Sequence, residues 1–262
     1  MLEAFKERLP SAELSKRIEC YWQLTLNEKR VDTIDLQVPQ GTFDVIFCAS
    51  TVSFNQFDGK SFTSHTLEPG CWLVGQQTTS YYWHTEKRCQ LFGIRFKPFG
   101  LFRSNAVSPY ELKNRIENLA EISPHCTYSL EWMLTSLFSL NKQSMTFPTF
   151  LEQTIVAESF ARILLKNEDD FPSFARESTN LIMRSRGDIK LSDLCLDFKL
   201  SKVTLRNRFI QTIGMLPKEL CKIWRLNHLM LLKQRNPDSN FTELGLLAGY
   251  YDQAHLNKEF KS

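Results

Sequence analysis

The stretch "SDLCLDFKLSKVTLRNRFI", starting at Ser192, returns as "TELGLLAGYYDQAHLNKEFK", starting at Thr242. Ser192, Leu194 and Leu196 fall on Thr242, Leu244 and Leu246 at an offset of 50 residues, and Leu205 and Phe209 fall on Leu256 and Phe260 at 51. The second copy therefore carries one extra residue in its turn. A chain that repeats itself in this way must build the same unit twice. Each copy reads as a short helix opened by Ser192 or Thr242, a tight turn, and a second helix capped by Ser201 or Asp252. Two helices and a brief turn make a helix-turn-helix.

The helical wheel divides each second helix. At about 100° per residue, Leu205 and Phe209 share a face that must be buried, as do Leu256 and Phe260. Val203, Arg206, Asn207 and Ile210 then lie opposite in the first copy. Ala254, Asn257, Lys258 and Lys261 do so in the second, with Gln253 at the flank. Arg, Asn, Gln and Lys can hydrogen-bond base edges in a major groove. Lys199, Lys202 and Arg208 are placed to reach phosphates, which adds affinity without sequence information. The alternative is a solvated helix face in an ordinary bundle. Charge is distributed in favour of the first reading. Residues 180–262 hold 14 Lys/Arg against 8 Asp/Glu, a balance of +6, while the whole chain carries only +3. A basic C-terminal third behind an acidic remainder points to an anionic partner.

These residues carry a family resemblance. From about 174 to 261 the chain resembles the C-terminal domain of the AraC/XylS-type transcription regulators. The matching pieces are "LSDLCLDFKLSKVTLRNRFIQTIGMLPKELCKIWRLNHLMLLKQ" and "FTELGLLAGYYDQAHLNKEFK". Ser201, Leu205, Phe209, Gly214, Pro217, Arg225, Leu226, Gly249, Asp252 and Phe260 fall at family positions. The resemblance implies two helix-turn-helix units joined by a long helix, with both reading helices in successive major grooves of double-stranded DNA. Its base-facing positions fall on Val203, Arg206 and Asn207, and on Gln253, Ala254 and Lys258. The linking helix would be "PKELCKIWRLNHLMLLKQ", with Leu220, Ile223, Trp224, Leu226, Leu229 and Leu231 serving both units. The chain departs from the family in carrying Cys195 and Gly245 where Ala is usual, and in placing Asp252 and Glu259 near the expected DNA. The family's domain continues past "FKS" with another turn and helix, so the second unit is expected to be short at its C-terminus.

The front of the chain has a different character. Residues 11–23 read as a short helix running into an extended segment. From Val31 to Phe99, short runs such as "TFDVIFCAS", "CWLVGQQTTSYYWHT" and "CQLFGIRFKPFG" alternate with turn residues, among them Asp58-Gly59 and Pro69-Gly70. The pattern predicts an antiparallel sandwich or barrel. "SPYELKNRIENLAEI" then predicts a helix, with Ser108 as cap and Pro109 at its first position. Helical spacing continues through "YSLEWMLTSLFSL", "FPTFLEQTIVAESFARILLK" and "FPSFARESTNLIMRSRG". The expected fold class is α+β: a β-rich barrel or sandwich with a helical middle, then an all-α double helix-turn-helix. The expected domains are 1–165 and 172–262, divided at the charged "KNEDDFPS". The stretch ending "GIRFKPFG" resembles the N-terminal β domain of some regulators of the family. There it implies effector sensing, dimerisation or both, which admits a small-molecule effector and a homodimer as partners.

Other functions find less support. No G-x-S-x-G elbow, Walker loop or dinucleotide fingerprint appears, so no enzyme is expected. His65, Cys71, His84 and Cys89 lie on separate segments without metal-ligand spacing, so no metal or other cofactor is expected. The seven Cys include no C-x-x-C pair. A thiol sensor would need Cys48, Cys71 and Cys89 together, with lowered thiolate pKa values. Tyr81, Tyr82, Trp83, Trp72 and Phe92 read either as plain core or as the lining of an apolar pocket. The charged N-terminus lacks the core of a secretory signal, and no segment approaches the ~20 apolar residues of a membrane span. A cytoplasmic, non-membrane protein is expected. The alternative function is a small-molecule-binding β protein whose incomplete helical tail no longer reads DNA.

Overall fold

The computed structural model describes residues 4–26, 36–57, 59–101, 108–123, 127–139, 148–165 and 172–260. Its fold is α+β: antiparallel sheets first, helices after. Among the described residues, one sheet has six strands. In spatial order they are β1 (Ala4–Arg8), β2 (Ile18–Leu26), β8 (Cys89–Phe96), β3 (Phe43–Cys48), β6 (Gly70–Val74) and β9 (Ile116–Asn118). The other sheet has three strands, β5 (Phe62–Leu67), β4 (Val52–Phe57) and β7 (Ser80–His84). Among the described residues, the β-rich region is thus two packed sheets, a sandwich.

Period-2 alternation explains why β3 is apolar almost throughout. Val45 and Phe47 face one core, while Ile46 and Cys48 face another. A sheet covered on both sides needs apolar residues at successive positions. The second core lies between the two sheets. The first is closed by α2 (Thr127–Phe138) and α3 (Phe150–Leu164), which supply Met133, Leu137, Ala157 and Phe160. Thr149 and Glu152 form a reciprocal capping box at the start of α3. At the other end of the sheet, β1 is a short edge strand with exposed Lys6, Glu7 and Arg8, a composition that discourages further pairing.

The segment after Phe99 differs from expectation. Ser108 and Glu111 do exchange capping bonds, at 3.0 and 3.4 Å. No helix follows. The chain runs through turns to Asn114, which has positive φ, then into β9 and the four-residue α1 (Leu119–Ile122). Pairing of Ile116–Asn118 with Trp72–Val74 overrides the local helix signals. Residues 11–23 are nearer the expectation, with a 3₁₀ turn at Leu14–Lys16 leading into β2. β4 and β5 pair antiparallel up to Phe57 and Phe62, with Gly59 at positive φ between them, while Asp58 of the expected turn lies outside the described residues.

Six helices follow: α4 (Ser173–Arg184), α5 (Leu191–Asp197), α6 (Lys202–Thr212), α7 (Pro217–Arg235), α8 (Phe241–Leu247) and α9 (Gln253–Phe260). Most of the expected linker, residues 166–171, lies outside the described residues.

Candidate nucleic-acid interface

Four residues separate α5 from α6 and five separate α8 from α9, the extra residue that the 50-to-51 offset implies. In the first unit the Ser201 hydroxyl accepts from the Thr204 N–H at 3.1 Å and opens α6. Leu205 and Phe209 are fully buried, with the Phe209 ring edge-on to Phe174 at 5.7 Å. α6 ends at Gly214, whose φ of +88° suits a residue without Cβ. In the second unit Asp252 accepts from the His255 N–H at 2.7 Å and opens α9. Leu256 is buried there, while Phe260 and Lys261 carry expectations outside the described side chains. The first helix of each unit starts earlier than expected. The N-cap residues are Lys190 and Asn240, and Asn240 accepts from Glu243 N–H at 2.8 Å.

Lys202, Val203, Arg206, Asn207 and Arg208 are all exposed on α6, and Gln253, Ala254, Asn257 and Lys258 are all exposed on α9. Val203 is 68% exposed, unusual for a β-branched apolar residue on a helix that already has a buried face. Arg208 has a second task, because its guanidinium lies over the Phe174 ring at 5.5 Å. Lys218, beside Lys202 and Arg206 in a groove floored by Leu205 and Pro217, extends the positive charge. Helical spacing could not reveal it, since it stands at the start of a different helix.

The two acidic departures are absorbed by the structure. Asp252 is spent on the cap of α9. Glu259 turns inward, 3.2 Å from Arg225 and 3.2 Å from His255, with its side chain only 8% exposed. Arg225 also donates to Gly187 O at 2.9 Å and lies over Tyr250 at 5.4 Å. One side chain of α7 thereby ties the loop before α5 to α9. The apolar face of α7 is divided in the same way. Leu220, Cys221 and Ile223 join the core of the first unit, and Leu229 joins that of the second. Leu231 is exposed, and Leu232 packs in its place. Gly245 allows close approach of the two helices in its unit, since a Cβ there would stand 3.2 Å from Leu256 Cδ2.

A second candidate site lies between the sheets of the β-rich region. A cavity of about 190 Å³ is walled by Trp22, Ile46, Phe54, Tyr81 and Trp83, with Phe5 and Glu7 also on its lining. Its polar end is a cross-strand ion pair, Arg95 Nε to Asp44 Oδ1 at 3.0 Å. Trp22 Nε1 donates to the same carboxylate at 2.7 Å. "GIRFKPFG" builds this end. Gly93 leaves room for the Trp22 ring, which would stand 2.1 Å from a Cβ there. Arg95 supplies the cation, and Phe99 leaves the sheet to enter the core of the first helix-turn-helix. Of the aromatics singled out from sequence, Tyr81 and Trp83 line the cavity. Phe92 belongs to the opposite core, and Trp72 donates to Glu68 O at 2.9 Å.

The thiols are placed for packing. Burial pushes the Cys48 thiol up to about 11 and raises Cys89 as well, so both stay protonated at neutral pH. Among the described residues no cluster of His, Cys, Asp or Glu could hold a metal ion, and no helix is long and apolar enough to cross a membrane. His65 Nε2 is engaged with Gln56 Oε1 at 3.1 Å.

Residues 6–118 match the model of a domain of unknown function (DUF6597). No curated protein matches the chain. Among solved structures, the chain is similar to ToxT from Vibrio cholerae, at 11% identity and a TM-score of 0.46, covering 99% of this chain and 94% of that one. ToxT with bound unsaturated fatty acid gives 12% identity and a TM-score of 0.47, covering 92% and 90%. Hydroxypropylphosphonic acid epoxidase from S. wedmorenis is similar over 35% of this chain and 49% of its own, at 9% identity and a TM-score of 0.30. Likenesses this loose carry no function, which has to be argued from the residues.

Proposed function

We propose that the chain is a sequence-specific DNA-binding transcription regulator. The domain division at residues 166–171 belongs to this reading. α6 and α9 enter the major groove. Lys202, Arg208 and Lys218 engage phosphates. Val203, Arg206 and Asn207, with Gln253, Ala254, Asn257 and Lys258, face the bases. The observation that carries the reading is the pairing of buried and exposed faces on two repeated units. Leu205 and its counterpart Leu256 are buried, and the opposite faces of α6 and α9 hold exposed Arg, Asn, Gln and Lys. The β-rich region is the sensing part, with the cavity beside Arg95 as its effector site, or the part through which two copies pair.

Replacing Arg206 and Asn207 together with Ala tests the assignment. The double variant is expected to lose about 1–3 kcal/mol of discrimination per contacted base while keeping weak, salt-sensitive binding. Competition binding between specific and scrambled duplexes at fixed salt measures both. Unchanged discrimination would remove α6 as a reader. The cavity favours a second reading, a small-molecule-binding protein without DNA specificity, which predicts no preference in either protein.

A further inference from the structure

The segment Gln37–Gly41 faces two ways. On one side Gln37 and Gln40 line the cavity between the sheets, and Gln40 Oε1 accepts from Arg95 Nη1 at 2.7 Å. On the other side Pro39 O accepts from Asn227 Nδ2 at 2.7 Å, and Asn227 lies midway along α7. Gly41 continues that second contact. Its φ is +69°, and a Cβ there would stand 3.0 Å from Leu220 Cδ1 and 3.6 Å from Ile223 Cγ2. The ends of the segment are pinned. Gln37 exchanges backbone bonds with Tyr81 at 2.6 and 3.0 Å, and Gly41 O accepts from the fully buried Gln76 at 3.0 Å. Between the pins, the hold on the cavity wall is the Arg95–Gln40 hydrogen bond. The hold on the helix that carries both units is the Asn227–Pro39 hydrogen bond, one residue away.

We propose that Gln37–Gly41 is a coupling strap: a small uncharged aromatic molecule bearing a carbonyl acceptor binds in the cavity, takes the place of Gln40 on Arg95, and loosens the strap from α7.

The lining sets the ligand's chemistry. Trp22, Phe54, Tyr81 and Trp83 offer ring faces and edges for an aromatic body. About 190 Å³ holds a single substituted ring, well below the ~300–1,000 Å³ of drug-sized sites. Asp44 already balances Arg95, and Glu7 adds a further carboxylate to the lining. A ligand carboxylate would bring uncompensated negative charge into a partly buried site. A neutral carbonyl replaces the Gln40 carboxamide oxygen like for like. A ligand seated without displacing Gln40 would bias nothing, because only differential contact shifts a conformational equilibrium.

The proposal rests on reading the β-rich region as the sensing part, and none of its tests involves DNA, so the two can fail separately. Benzamide is titrated into the full chain. Tryptophan fluorescence follows binding, because Trp22 and Trp83 line the cavity, and hydrogen exchange follows residues 217–229 of α7. Saturable binding is expected, with exchange in that stretch rising about fivefold, the scale of one lost hydrogen bond. Gln40→Ala is expected to raise the same exchange without benzamide. Asn227→Ala is expected to raise it also, to bind benzamide about fivefold more tightly because the hold on α7 no longer has to be broken, and to show no further response. Binding with unchanged α7 exchange would overturn the coupling. No binding, or tighter binding of benzoate than of benzamide, would overturn the ligand class.

Discussion

The two helix-turn-helix units share a sequence pattern but not a foundation. Among the described residues, the core of the first unit has twelve buried members, including Phe99 from the β-rich region and Phe174 from α4. The core of the second has five, Leu229, Leu244, Ala248, Tyr250 and Leu256. The first unit is also braced from outside. Lys113 pairs with Glu219 at 3.1 Å, and Pro109 fills the space where a side chain at Gly214 would stand. The second unit hangs from α7 and from the Arg225–Glu259 pair. A repeated pattern can therefore encode two readers of unequal rigidity. The position of α6 is set by the body of the protein, and that of α9 is set by one helix and one buried charge pair.

The largest expected effect breaks the better-founded unit. Phe209→Ala should cost about 4 kcal/mol through lost burial and the cavity left behind, and should lower the urea midpoint of the helical region. Leu256→Ala should cost less, and its effect should be confined to faster hydrogen exchange in α8 and α9. Equal loss of protection in α6 from both variants would erase the distinction between the units.

Arg225→Ala sharpens the comparison from the other side. It takes the guanidinium from the Glu259 carboxylate, whose side chain is only 8% exposed, leaves His255 at 3.2 Å, and removes the donor to Gly187 O. A loss of about 3 kcal/mol is expected, with α9 losing protection before α6. Restoration of α9 protection by Glu259→Gln in the same chain would show that the buried charge, deprived of Arg225, was the cause.

The smallest effect lies in the β-rich region, which braces the first unit. Burial is the main cause that raises the pKa of Glu19, with Arg95 opposing it. An acid with a raised folded-state pKa contributes its full stability below its unfolded pKa and loses it as pH rises through the folded value. Glu19→Gln should therefore match the parent in acid and become progressively more stable than the parent as pH rises. Thermal unfolding across pH measures the difference. A gap that widens toward low pH would contradict the assignment.

Local signals made part of this legible in advance. The spacing of Leu205, Phe209 and Leu256 predicted their burial, the Ser201 and Asp252 caps form, and the one-residue offset is the longer second turn. What could not be read depended on partners distant in sequence. "SPYELKNRIENLAEI" carries genuine capping residues, yet strand pairing with β6 claims its middle. Glu259 looks outward until Arg225, 34 residues earlier, draws it in. The Asp44–Arg95 pair needs the β3–β8 register, and the strap needs Pro39 to meet Asn227 across 188 residues. Lys218 joins the basic face only because α7 starts beside α6.

The most direct test of the central claim is selection of bound fragments from genomic DNA by the full chain at fixed, near-physiological salt. Two reading helices on one side of the duplex predict a single enriched motif with two half-elements about 10 bp apart. The better-founded α6 should account for the more strongly specified half. No enrichment over input DNA would contradict the account, leaving the cavity beside Arg95 as the protein's remaining candidate site.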